Sequence, residues 1–114
     1  MHDHLYPEAT PAMSAKRASL APETAEAFRS FSKQVFAAGA LDEKTKQLIA
    51  VAVAHVTQCP YCIRGHTRTA RLKEATPQEI MEAIWVAAEM RAGGAYAHAA
   101  LALDVMDEMG ETTG

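Results

Sequence analysis

A formal charge of −3 over 114 residues, with no basic tract, leaves nothing to attract a polyanion, so nucleic acid is not an expected partner. Apolar residues make up 49% of the chain, enough for the core of one small domain. His2, Asp3, His4 and Glu8 interrupt any secretory-signal pattern, and the apolar run Leu48–Ala54 is too short to cross a bilayer, so a cytoplasmic chain without membrane contact is expected.

Residues 1–19 carry Pro7 and Pro11 among small and polar residues with little periodicity, and read as a flexible N-terminal arm on which His2 and His4 are exposed. Pro22 fits a first helical position. Phe28, Phe31 and Val35 then recur at helical spacing as a core stripe, and Gly39 closes this first helix. Asp42 suits the N-cap of a second helix with Glu43 in its first turn. The run Leu48–Ala54 has the propensity of a buried strand, but its polar lead-in and its alanines favour a helix covered nearly all round. Gln47, Val51 and His55 lie at i, i+4 and i+8 on that helix.

The chain turns near Thr57-Gln58, and Pro60 opens a third helix that runs to about Leu72. Gly65 sits inside it, where a glycine is costly unless another backbone packs close. Arg64, Arg68, Arg71 and Lys73 form a basic, solvated face. Thr76-Pro77-Gln78-Glu79 combines an N-cap, a first-position proline and a capping-box glutamate. Ile80, Ala83, Ile84 and Ala87 form one apolar stripe of the fourth helix; Met81, Trp85 and Ala88 form another. That is more apolar surface than one small core covers, and it points to self-association. Gly93-Gly94 is expected to break this helix, with a fifth running from about Ala95 to Met109. The expected architecture is all-α, a bundle of about five helices over residues 20–109 with a frayed tail at 110–114. No strand pattern is evident, which excludes an ordinary thioredoxin fold, and there is no phosphate-binding glycine loop.

Chemistry concentrates at Cys59-Pro60-Tyr61-Cys62, which holds both cysteines of the chain. Two intervening residues bring two sulfurs within bonding reach when the second lies in a helix's first turn. His66 follows Cys62 by four residues and shares its helix face. A nearby imidazole can take a thiol proton, and a helix N-terminus lowers a thiol pKa. Redox chemistry is the leading reading of this dithiol. His55, Cys59, Cys62 and His66 also have spacings compatible with four zinc ligands, and two unreactive cysteines are the third possibility.

The segment Leu41–Leu103 resembles the carboxymuconolactone decarboxylase-like superfamily, and more closely its alkylhydroperoxidase AhpD-like branch. The resemblance is carried by Cys59-Pro60-Tyr61-Cys62-Ile63-Arg64-Gly65-His66, the leading Leu41-Asp42-Glu43-Lys44-Thr45-Lys46 and the trailing Arg91-Ala92-Gly93-Gly94-Ala95-Tyr96-Ala97-His98. It implies an all-α fold assembled as a homotrimer or homohexamer. It also implies a peroxidase that reduces a small-molecule hydroperoxide and is itself reduced by an external thiol or dithiol. No organic cofactor and no resident metal are implied. Decarboxylase members lack the cysteine pair, which argues against ring decarboxylation.

Carried over residue by residue, the resemblance makes Cys62 the attacking sulfur, Cys59 the resolving one and His66 the adjacent histidine. The family's relay glutamate falls on Gln47, an amide that can orient a water or an imidazole but cannot shuttle protons near neutral pH. His55, or Glu43 one turn earlier, is then a substitute relay. Tyr61 also departs from a relative with histidine before the second cysteine. The helix N-terminus favours the opposite order, with Cys59 as nucleophile. A disulfide reductase, a metal-binding module and a purely structural oligomer are the alternative functions.

Overall fold

The computed structural model describes residues 5–110. His2 and His4, and the tail beyond Gly110, lie outside the described residues. Five helices and no strand are present among them: α1 Pro11–Ser19, α2 Pro22–Phe36, α3 Glu43–Thr57, α4 Pro60–Leu72 and α5 Pro77–Glu108. Each of α1, α2, α4 and α5 begins on a proline, whose fixed φ suits the first turn and whose missing N–H costs nothing there. The described residues fall into two groups, one ending at Glu43 and one beginning at Lys44.

In the first group, residues 11–19 are not an irregular arm but α1. Thr10 caps it, its hydroxyl accepting the Met13 N–H at 3.1 Å. α2 packs against α1 and ends at Phe36, before Gly39, because Ala37 is extended. The rings of Phe28 and Phe31 lie 6.4 Å apart. Neither belongs to a core: Phe28 is 68% and Phe31 62% exposed, and neither α1 nor α2 contains a buried residue. The stripe has the right period, but its two aromatic rings are exposed.

The second group holds the core. Val51 of α3, Ala70 of α4, Ala75 of the turn before α5 and Ile80 of α5 are buried together, with Leu48 and Ile84 packed on them. Alanines at two of the four positions let the helices approach closely. Two polar contacts tie α5 to α3. Lys44 Nζ meets Glu79 Oε2 at 2.9 Å, and Arg91 Nη1 donates to the Val56 carbonyl at 3.2 Å. Both contacts span 35 residues, so α3 and α5 run side by side in the same direction. Thr76 and Glu79 form the expected capping box at the start of α5.

α5 does not break at Gly93-Gly94; it continues to Glu108 as one helix of 32 residues. Each glycine costs about 1 kcal/mol against alanine in a helix interior. Ending and restarting the helix would instead leave two more sets of terminal backbone groups unpaired and require a second nucleation. Alanines on both sides favour continuation. From Gly94 to Gly110 every residue is exposed, including Tyr96, Leu101, Leu103 and Val105. Gly65 differs from expectation too, because a Cβ built there meets nothing within 4 Å.

Candidate active site

The loop between α3 and α4 is short, and its geometry is set by one residue. Gln58 has φ of 59°, the left-handed conformation usually given to glycine. With it, the N–H groups of Gln58 and Cys59 both reach back to the Ala54 carbonyl, at 2.8 and 3.3 Å. The next residue, Cys59, is extended, as a residue before proline prefers, and becomes the N-cap of α4. Cys62 then falls in the first turn, and its main-chain N–H donates to Cys59 Sγ at 3.4 Å. A sulfur thus makes the cap bond that a serine or aspartate oxygen ordinarily makes.

Both cysteines are free thiols and half-buried. The Cys62 thiol donates to Cys59, and this bond, joined by the main-chain N–H groups of Cys62 and Tyr61, pulls the Cys59 thiol below its ordinary range against the effect of burial. Cys62 is pushed the other way, first by its side-chain hydrogen bond to Cys59, then by burial and by repulsion from a charge on Cys59. Of the two, Cys59 is the thiol that gives up its proton more easily.

His66 is one turn beyond Cys62 and half-buried. Its Nδ1 lies 2.8 Å from Gln47 Oε1. An amide oxygen only accepts, so Nδ1 carries a proton in this bond. Gln47 is the one buried polar side chain among the described residues, 6% exposed. No described group pairs with its Nε2. α3 supplies Gln47 and α4 supplies both cysteines and His66, so the core that joins these helices also sets the site.

His55 stands apart. Its Nδ1 is engaged with the Val51 carbonyl one turn back on its own helix, at 2.8 Å, and it makes no hydrogen bond to Gln47, His66 or either cysteine. No three histidine, cysteine or acidic side chains among the described residues are grouped to hold a metal ion, so the four-ligand set His55, Cys59, Cys62 and His66 is not assembled. Glu43 lies one turn before Gln47 along α3. The sequence placed a turn near Thr57-Gln58 but not the left-handed conformation of Gln58, because no glycine marks it.

The arrangement is consistent with a redox-active dithiol: a more acidic sulfur, a less acidic one beside it and an imidazole on the second sulfur's helix face. No described helix is long and apolar enough to cross a membrane.

Comparison with known proteins agrees with this organisation. The chain is 70% identical over 84 residues to uncharacterized protein 4 in the cox locus of Paracoccus denitrificans, covering 74% of this chain and 76% of the relative. It is 32% identical over 88 residues to an uncharacterized protein of Cupriavidus necator, covering 77% and 78%. Among solved structures, a protein of Methanobacterium thermoautotrophicum matches with a TM-score of 0.70 and 38% identity, over 73% of this chain and 93% of that one. The apo form of a carboxymuconolactone decarboxylase family protein from Legionella pneumophila matches with a TM-score of 0.68 and 38% identity, over 85% and 87%. Residues 22–105 match the model of the carboxymuconolactone decarboxylase family. With its helical order, its paired sulfurs and this match over most of its length, the chain belongs to the carboxymuconolactone decarboxylase family, in the superfamily that includes the AhpD-like proteins.

Proposed function

We propose that the protein is a thiol-dependent peroxidase that reduces a small hydroperoxide through a Cys59–Cys62 dithiol/disulfide cycle. The observation that carries this reading is the pairing of the two cysteines at the start of α4, where the Cys62 N–H donates to Cys59 Sγ and the Cys59 thiol is pulled below its ordinary range. One thiolate attacks the terminal oxygen of the peroxide, the O–O bond breaks and an alcohol leaves; the sulfur becomes a sulfenic acid. The other sulfur displaces water from it to form the disulfide. An external thiol or dithiol restores the pair by exchange and is itself oxidised, which places the protein in a reducing compartment such as the cytoplasm. His66 serves as proton acceptor with Gln47 orienting it. The large apolar side chains left exposed on α2 and α5 support assembly as a homotrimer or homohexamer.

The test is a thiol titration of the reduced protein before and after one equivalent of an organic hydroperoxide, with intact mass. Loss of both thiols together with two hydrogens per chain supports the cycle. Thiols that survive the peroxide but reduce a small disulfide would replace the peroxidase with a disulfide reductase.

A further inference from the structure

We propose that the last three turns of α5 dock on the outer face of α4 in a second copy of this chain. This rests on the self-association argued above and is independent of the dithiol cycle; it names the two surfaces that meet.

The first half of α5 already uses one side of the helix. Ile80 and Ile84 pack with Val51 of α3 and Ala70 of α4, and the buried Ala87 continues their seam at steps of four and three residues. The same steps lead on to Leu101 and Val105. By then α3 has ended. Arg91 reaches the carbonyl of Val56, next to the last residue of α3, and α5 runs on from Ala92 to Glu108, about 25 Å of helix. Leu101 is 65% and Val105 52% exposed there. One seam is thus buried along half of a helix and open along the rest, as on a surface that another chain completes.

Charge points to the surface that completes it. Asp104 and Glu108 stand one turn apart beside the open seam with Asp107 between them, and the last turn of α5 holds no basic residue. Carboxylates at a helix C-terminus meet the negative end of the helix dipole, so this end favours cations from elsewhere. Arg64 and Arg68 stand one turn apart on α4, both exposed, and α4 holds no carboxylate. None of these five groups is in an ion pair among the described residues. Equal i, i+4 spacing on the two helices lets two acid–arginine pairs form together. Gly65 lies beside the arginines, and a Cβ built there meets nothing within 4 Å, so the α4 backbone is open to close approach.

These groups cannot meet within one chain. α5 is unbroken, so Asp104 lies about 40 Å along it from Pro77. Arg64 lies only about 12 Å before the end of α4 at Leu72, and residues 73–76 join the two helices. The acidic end therefore belongs on the α4 of another copy. Each chain carries both surfaces, so the contact runs head-to-tail and closes into a ring. The arginines lie across α4 from the face that Cys62 and His66 share, which leaves the dithiol uncovered.

Light scattering over a concentration series of the full-length protein reads the assembly. Arg64→Glu with Arg68→Glu, and separately Asp104→Lys with Glu108→Lys, should each raise its dissociation constant at least about ten-fold, with circular dichroism reporting the helices. All four substitutions in one chain restore opposite charges with the signs exchanged, and should recover most of the loss. In the unsubstituted chain, amide exchange across residues 98–108 should slow as concentration rises through assembly. A chain that stays single throughout overturns this contact and the self-association together. Assembly indifferent to both reversals, not recovered by the combined variant, or without slower exchange at 98–108 overturns the contact and leaves self-association standing.

Discussion

Replacing Gln47 with leucine separates holding the fold together from holding His66. Leucine removes the acceptor of the 2.8 Å bond to His66 Nδ1. Nδ1 of the half-buried His66 then loses that acceptor, at a cost of at most about 1–3 kcal/mol. The same substitution removes the Gln47 amide nitrogen, which is buried with its side chain and has no described partner. Relief of that unpaired group returns about 1–3 kcal/mol, so the net change in stability should fall within about 1 kcal/mol of zero. The His66 ring, however, loses the Gln47 contact that helps to orient it. Disulfide formation after peroxide attack should slow about ten- to a hundred-fold, near the low end of what a positioned base supplies. Gln47→Glu keeps an acceptor in place and should recover most of the rate. Urea unfolding gives the stability, and rapid mixing with one equivalent of organic hydroperoxide, followed by intact mass, gives the rate. A loss of more than about 2 kcal/mol with disulfide formation unchanged would show Gln47 to be a core strut, and the reasoning would fail.

Three further outcomes follow from the fold. Val51 is fully buried, so Val51→Ala should destabilise by about 2 kcal/mol in urea unfolding; a change below about 0.5 kcal/mol would place the core elsewhere. A Cβ at Gly94 meets nothing within 4 Å, and α5 passes through it without interruption, so Gly94→Ala should raise stability by about 1 kcal/mol; a loss would mean that the helix is covered or broken there. Glu79 is held below the ordinary carboxylate range first by the Thr76 N–H and then by Lys44. A depressed carboxylate contributes stability above its unfolded value of about 4.3 and loses it as pH falls through the lower folded value. The urea midpoint of Glu79→Gln should therefore trail the parent most above about pH 5 and converge with it toward about pH 3.

The helix starts were legible wherever proline stood at a first position. Pro22, Pro60 and Pro77 each opened a helix where the sequence placed one. Pro11 carries the same signature, with Thr10 as cap, but the weak periodicity after it hid α1. The glycine pair in α5 misled because local cost was weighed without the larger cost of two extra helix ends. Burial was the least legible property. Phe28 and Phe31 have core spacing and are exposed, whereas much of the actual core is alanine, whose small side chain signals little. At the site, the spacing of Cys59, Cys62 and His66 and the unusual amide at Gln47 were readable, and the fold joins Gln47 to His66. His55 shares the Gln47–Val51 stripe, yet its ring is claimed by its own helix backbone. The left-handed turn at Gln58 has no side-chain signature at all.

The sulfur at the head of α4 ties helix strength to electron flow. While Cys59 carries an anion, the first turn faces a countercharge; once the disulfide closes, the same atom is neutral and a poor acceptor, and the turn loses its brace. An anion at a helix start is worth about 0.3–1 kcal/mol, which for a two-electron couple raises the midpoint potential by about 5–20 mV. A serine or aspartate cap would hold the helix equally in both redox states. With cysteine there, the protein yields part of its own rigidity each time it gives up electrons, and its reductant restores the helix along with the thiols.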